Sequence, residues 1–164
     1  MAKTAPSRVG CKAWTSGWVA PKGLISGMKS GLHAGAEAAV TVTVTQEMLA
    51  TFEEFGPVHP LYATWSMVRH MELASRKVIL PYLEPHEEAV GYSVSVTHLA
   101  PTPVGAVVTT RARLARIDGN QIVCAVSAHN GRAAIGDGTT VQVVLSRAAL
   151  QARLDEIGAK RPAG

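Results

Sequence analysis

At 164 residues, with 47% apolar and 17% charged residues, the chain suits one domain with a substantial core and is too sparsely charged for a disordered or fibrous protein. Its net charge of +4 is dispersed rather than gathered into a basic stripe, and 5% aromatic content supplies no stacking platform, so nucleic-acid binding is excluded. Two cysteines (Cys11 and Cys124), no His-x-x-x-His pair and no Cys-x-x-Cys argue against a disulfide framework or a metal site.

Residues 1–27 are rich in Gly, Pro, Ser and Lys, broken by Trp14 and Trp18, and show no period of 2 or 3.6; they are expected to form a flexible extension. They lack the continuous apolar stretch of a signal peptide, and no run in the chain reaches the ~20 apolar residues of a membrane span. A cytoplasmic protein without a membrane partner is therefore expected. The body of the chain, 28–164, begins with a strand in which Val40, Val42 and Val44 alternate with threonines. Residues 46–61, with Phe52, Phe55, Gly56, Pro57 and Pro60, are expected to be a loop with a short helical turn.

Helical periodicity then covers about 62–80, ended by Pro81. At ~100° per residue, Thr64, Met67, Val68, Met71, Glu72, Ser75, Val78 and Ile79 share one face, while Arg69, His70, Arg76 and Lys77 project from the other. Four strand-like segments follow, roughly 89–100, 104–118, 121–129 and 133–145, with hairpin signals at Asp118-Gly119-Asn120 and Asn130-Gly131. Cys124 falls in one of them as a buried, inert thiol. The segment 146–157 is expected to be a short closing helix or tail. A strand, one long helix and an antiparallel four-strand meander make an α+β chain, and a helix wrapped by such a sheet is the hot-dog architecture.

Three side chains carry chemistry. Glu72 lies at the edge of an apolar helical face, where a carboxylate is out of place. In the strand ending at His98, alternation sets Val90, Tyr92, Val94, Val96 and His98 on one face, toward the helix. Thr64 falls in the first helical turn, where unpaired N–H groups and the helix dipole can hold an oxyanion. Histidine is the natural general base near neutral pH. Thr64 can attack an acyl group or position water, and Glu72 can orient His98 or attack the acyl carbon itself; both choices stay open. Arg111, Arg113 and Arg116 are either phosphate contacts or, more simply, a solvated strand face.

The stretches MKSGLHAGAE, FEEF, ATWSMVRHMELASRKVILPYLEP, VGYSVSVTHLAPTPVG, VSAHNG, IGDG and RPAG resemble the hot-dog thioesterases of the fluoroacetyl-CoA thioesterase family, across most of 28–164. The resemblance implies that Thr64, Glu72 and His98 are the catalytic residues and that Gly91 lies beside the bound acyl group. It implies hydrolysis of a short acyl-CoA to acid and CoA by a homodimer, with no metal or organic cofactor. Two features depart from the family. Gln142 stands where the family has an arginine associated with the fluorinated acyl group. The segment holding Phe52 and Phe55, which match pocket-gating phenylalanines, is rearranged around residues 58–60. A non-hydrolytic acyl-CoA binder and a hot-dog hydratase or dehydratase are the competing readings.

Overall fold

The computed structural model describes residues 27–159, so the expected extension lies outside the described residues apart from Gly27, as does the terminal RPAG. The chain forms β1 (Glu37–Thr43), a 3-10 turn (Gln46–Met48), β2 (Leu49–Phe52), β3 (Gly56–Tyr62), α1 (Thr64–Ile79) and a second 3-10 turn (Leu80–Tyr82). It continues through β4 (Glu87–His98), β5 (Val107–Asp118), β6 (Gln121–His129), β7 (Ala134–Ser146) and α2 (Arg147–Ala159). Five strands pair antiparallel in the order β1-β5-β6-β7-β4, β2 and β3 form a separate ribbon, and α1 packs across the large sheet. This is the expected hot-dog arrangement.

The core follows from the two periodicities. Met67, Met71, Ala74, Val78 and Ile79 of α1 are buried against Val108, Ala112 and Leu114 of β5, Cys124 and Val126 of β6, and Ile135 and Val144 of β7. Burial pushes the Cys124 thiol up to about 11, which leaves it protonated and inert at neutral pH. Between β5 and β6, Gly119 takes a φ of 59° at the first position of a two-residue turn, where glycine is strongly favoured. Between β6 and β7, the Asn130 side-chain oxygen accepts from the backbone N–H groups of Arg132 (3.1 Å) and Ala133 (2.9 Å), closing a local turn.

Four expectations need correction. The region 46–61 is a hairpin rather than a loop: β2 and β3 pair with register shifts, and this two-stranded ribbon accommodates Pro57 and Pro60, which donate no ladder bond. Tyr62 consequently ends β3 instead of opening the helix, and α1 starts at Thr64. The last four strands are not one meander, since β4 pairs with β7 and not with β5. The link from β4 to β5 is long and proline-containing, unlike a tight hairpin turn, and it crosses to the far side of the sheet. Thr102 in this crossing is buried, and its carbonyl accepts from the Tyr62 N–H at 2.8 Å.

The fourth correction concerns His70, which is buried rather than solvent-facing and forms a 2.6 Å hydrogen bond with the Tyr62 hydroxyl, their rings stacked 5.9 Å apart. A helical wheel cannot reveal this, because the β2–β3 ribbon that supplies Tyr62 was not foreseen. The segment expected as a closing helix or tail is the helix α2, which has no buried residue. No described helix is long and apolar enough to cross a membrane.

Candidate active site

Thr64 is the first residue of α1, whose N-cap, Ala63, has no capping side chain. The backbone N–H groups of Thr64, Trp65 and Ser66 have no helical carbonyl four residues back to pair with. The Ala63 N–H is already engaged by Met48 O at 2.8 Å, and the Ser66 hydroxyl donates to the same carbonyl at 3.0 Å, tying the helix start to the β2–β3 ribbon. The first-turn N–H groups are thus held in place beside the Thr64 hydroxyl.

His98 ends β4, and its Nδ1 lies 2.9 Å from Thr64 Oγ1. Its other ring nitrogen, Nε2, lies 3.1 Å from the carbonyl of Ala100. A carbonyl can only accept, so Nε2 carries the ring proton and Nδ1 presents its lone pair to the Thr64 O–H. The imidazole is therefore oriented to take a proton from Thr64. The crossover makes this possible, because the chain turns back just after His98 and offers Ala100 O to the ring.

Thr64 and His98 line a cavity of about 350 Å³ with Phe52, His59, Trp65 and the crossover residue Leu99 among its other walls. Phe52 belongs to the cavity, as expected, and is half exposed; Phe55 lies at the hairpin tip, 76% exposed, and does not line it. His59, Trp65 and Leu99 carried no sequence signal. Gly136 was also missed as an individual position. It pairs with His98 across β4 and β7, and any side chain there would run into the sulfur of Met67. Only the quoted IGDG motif pointed toward it.

Glu72, Gly91 and Gln142 form a second group. The Gln142 Nε2 donates to the backbone carbonyl of Glu72 at 3.2 Å, Gly91 pairs with Gln142 in the sheet, and a Cβ on Gly91 would collide with the Glu72 carboxylate. Gly91 thereby reserves the space that Glu72 occupies. No hydrogen bond links Glu72 to His98 or Thr64. Eight residues separate it from Thr64, or about 12 Å along the helix axis. Since Nε2 is held by Ala100, Glu72 does not orient His98 within this chain.

Both groups face α1 because of a β-bulge between Gly91 and Ser93. Strict alternation would put odd-numbered Gly91 and even-numbered His98 on opposite faces. The extra residue, Tyr92, is 49% exposed, and the expected shared face of Val90, Tyr92 and His98 is broken there. Of the arginines on β5, Arg113 pairs with Glu37 at 3.4 Å, and both side chains are exposed.

A model of the fluoroacetyl-CoA-specific thioesterase family matches residues 44–148. The fluoroacetyl-CoA thioesterase of Streptantibioticus cattleyicolor is 39% identical over 111 residues, covering 68% of this chain and 78% of its own. A thioesterase-superfamily protein of Thermus thermophilus superposes with a TM-score of 0.78 at 43% identity, across 80% of this chain and 96% of its own. The structure of the fluoroacetyl-CoA thioesterase FlK gives a TM-score of 0.73 at 32% identity, across 80% of this chain and 99% of that one. The chain is a hot-dog-fold thioesterase and belongs to the fluoroacetyl-CoA-specific thioesterase family.

Proposed function

We propose that this chain hydrolyses a short acyl-CoA to the free acid and CoA, with Thr64, His98 and Glu72 as its catalytic residues. The observation that carries the reading is the Thr64–His98 hydrogen bond of 2.9 Å, with the far ring nitrogen anchored on Ala100 O. In this mechanism His98 takes the Thr64 proton as Oγ1 attacks the thioester carbonyl. The developing oxyanion meets the first-turn N–H groups of α1. The C–S bond then breaks, and the imidazolium protonates the departing CoA thiolate. Water, deprotonated by His98 in turn, releases the acid from the Thr64 ester.

We further infer a homodimer built on β4. This 12-residue strand lies at one edge of the sheet, with Tyr92 and Val94 exposed. A long exposed edge strand with apolar side chains invites pairing. Antiparallel self-pairing centred on residues 91–97 brings the Gly91–Glu72 end of one chain beside Thr64 and His98 of the partner subunit. Glu72 then borders the acyl group from the facing subunit, a role open to it although it lies far from its own His98. The catalytic unit in this reading is 28–164, with residues 1–27 as an extension and the protein in the cytoplasm.

Thiol release from acetyl-CoA, followed for the wild type and for Thr64→Ala, Glu72→Gln and His98→Ala, tests the chemistry. Full activity in all three variants overturns it. Mass spectrometry of the quenched reaction separates the two nucleophiles: an acyl adduct on Thr64 supports the route above, and one on Glu72 replaces it. Val94→Lys should yield a monomer by sedimentation with turnover lost, whereas an active monomer removes the shared site.

A further inference from the structure

Gln142 is 2% exposed, and its amide orientation is set, because Nε2 donates to the Glu72 carbonyl and a flipped amide would put oxygen against oxygen. This leaves Oε1 buried with no hydrogen-bond partner. Buried acceptors are ordinarily satisfied, so an orphan beside a reactive group asks for a ligand. The Glu72 carboxylate nearby also meets no donor among the described residues. Oε1 itself has no exposed surface, so a ligand reaches it from the sheet edge, where Glu72 is half buried and Gly91 exposed, by displacing the flexible Glu72 carboxylate. Three elements thus gather two acceptors and no donor around a position that a single methyl group on Gly91 would disturb.

Resting on the thioesterase reading and the β4-paired dimer above, we propose that Gln142 selects a small acyl group carrying a hydroxyl, whose O–H donates to Oε1. The complement of an acceptor is a donor: a fluorine or carboxylate substituent brings only acceptors and leaves Oε1 unpaired. A plain acyl chain leaves it unpaired as well. A hydroxyl fills that valence while the thioester carbonyl stays free for attack.

Glycolyl-CoA and acetyl-CoA differ by that hydroxyl alone. The wild type should show kcat/KM at least about tenfold higher for glycolyl-CoA, the scale of one well-made buried hydrogen bond. In Gln142→Leu the preference should fall toward one. Gln142→Met, closer in shape, makes the same test if the leucine variant does not fold. A wild-type ratio near one, or an undiminished ratio in the variants, overturns the proposal. Absence of thiol release from either substrate would overturn the thioesterase reading instead. The intact thioesters can then be compared by equilibrium binding, where tighter glycolyl-CoA binding supports the role of Gln142 and equal binding removes it.

Discussion

The start of α1 and its middle, both facing β4, are built on opposite principles. At its start, Thr64 and His98 are joined to each other, and the far side of the ring is pinned to Ala100 O beside an apolar cavity. Two turns later, Glu72 and the Gln142 oxygen have no donor, and the Glu72 carboxylate fills the space that Gly91 leaves free of a side chain. The first is a preorganised proton-transfer pair, complete before any ligand arrives. The second is a set of acceptors whose partner must come from outside. In the proposed reading, proton transfer falls to Thr64 and His98 and acyl selection to Gln142 of β7, with Glu72 between them.

Substitutions at each place can break or sharpen that contrast. The largest effect is expected for His98→Ala, which removes the group placed to take the Thr64 proton; kcat should fall about 10²–10⁴-fold, read by thiol release. Gly91→Ala comes next, with turnover reduced at least about tenfold, because the new Cβ displaces the Glu72 carboxylate. Its melting temperature should barely move, since what it displaces is the tip of a flexible side chain. Gly138→Ala is the structural counterpart: its Cβ would run into the Ser95 backbone carbonyl, which cannot step aside. That variant should lose about 1–3 kcal/mol of stability in denaturant unfolding.

A stability loss of similar size is expected from Tyr62→Phe, which leaves His70 Nδ1 buried without its partner at a cost of about 1–3 kcal/mol. Replacing both, as Tyr62→Phe with His70→Leu, should recover part of that loss. The pair also predicts a pH dependence. Burial, and then the nearby Arg69 charge, hold the His70 pKa below its ordinary value. Its contribution is therefore present above the ordinary histidine range and lost as pH falls through the lowered pKa, because the unfolded chain takes the proton first. Melting temperature should drop with acidification in the wild type, and less steeply in His70→Leu.

The long helix, the strand ending at His98 and the buried Met67–Met71 stripe were legible because each rests on a local period. The β2–β3 ribbon was not, since its prolines and uneven register mimic a loop. Strand order was also hidden. Alternation marks β4 and β5 as strands equally well whether or not they are neighbours, and only the packing of the 99–106 crossing shows that they are not. In the site, Thr64 and His98 could be anticipated as partners. The eight-residue gap between Thr64 and Glu72 was legible too, but that His98 meets the helix at Thr64 and not at Glu72 was not, because it depends on where β4 crosses α1.

By itself the sequence determined the residue types that do the chemistry, the helix that presents Thr64 and Glu72, and the family to which the chain is similar. These depend on side-chain identity and on periods of 2 and 3.6, which are properties of short segments. The tertiary structure alone decided that Ala100 O sets the His98 tautomer, that a bulge at Tyr92 turns Gly91 and His98 to the same side, and that Gln142 is left with an unpaired oxygen beside Glu72. Each of those depends on which groups meet across elements far apart in the chain, and burial makes the unmet ones costly.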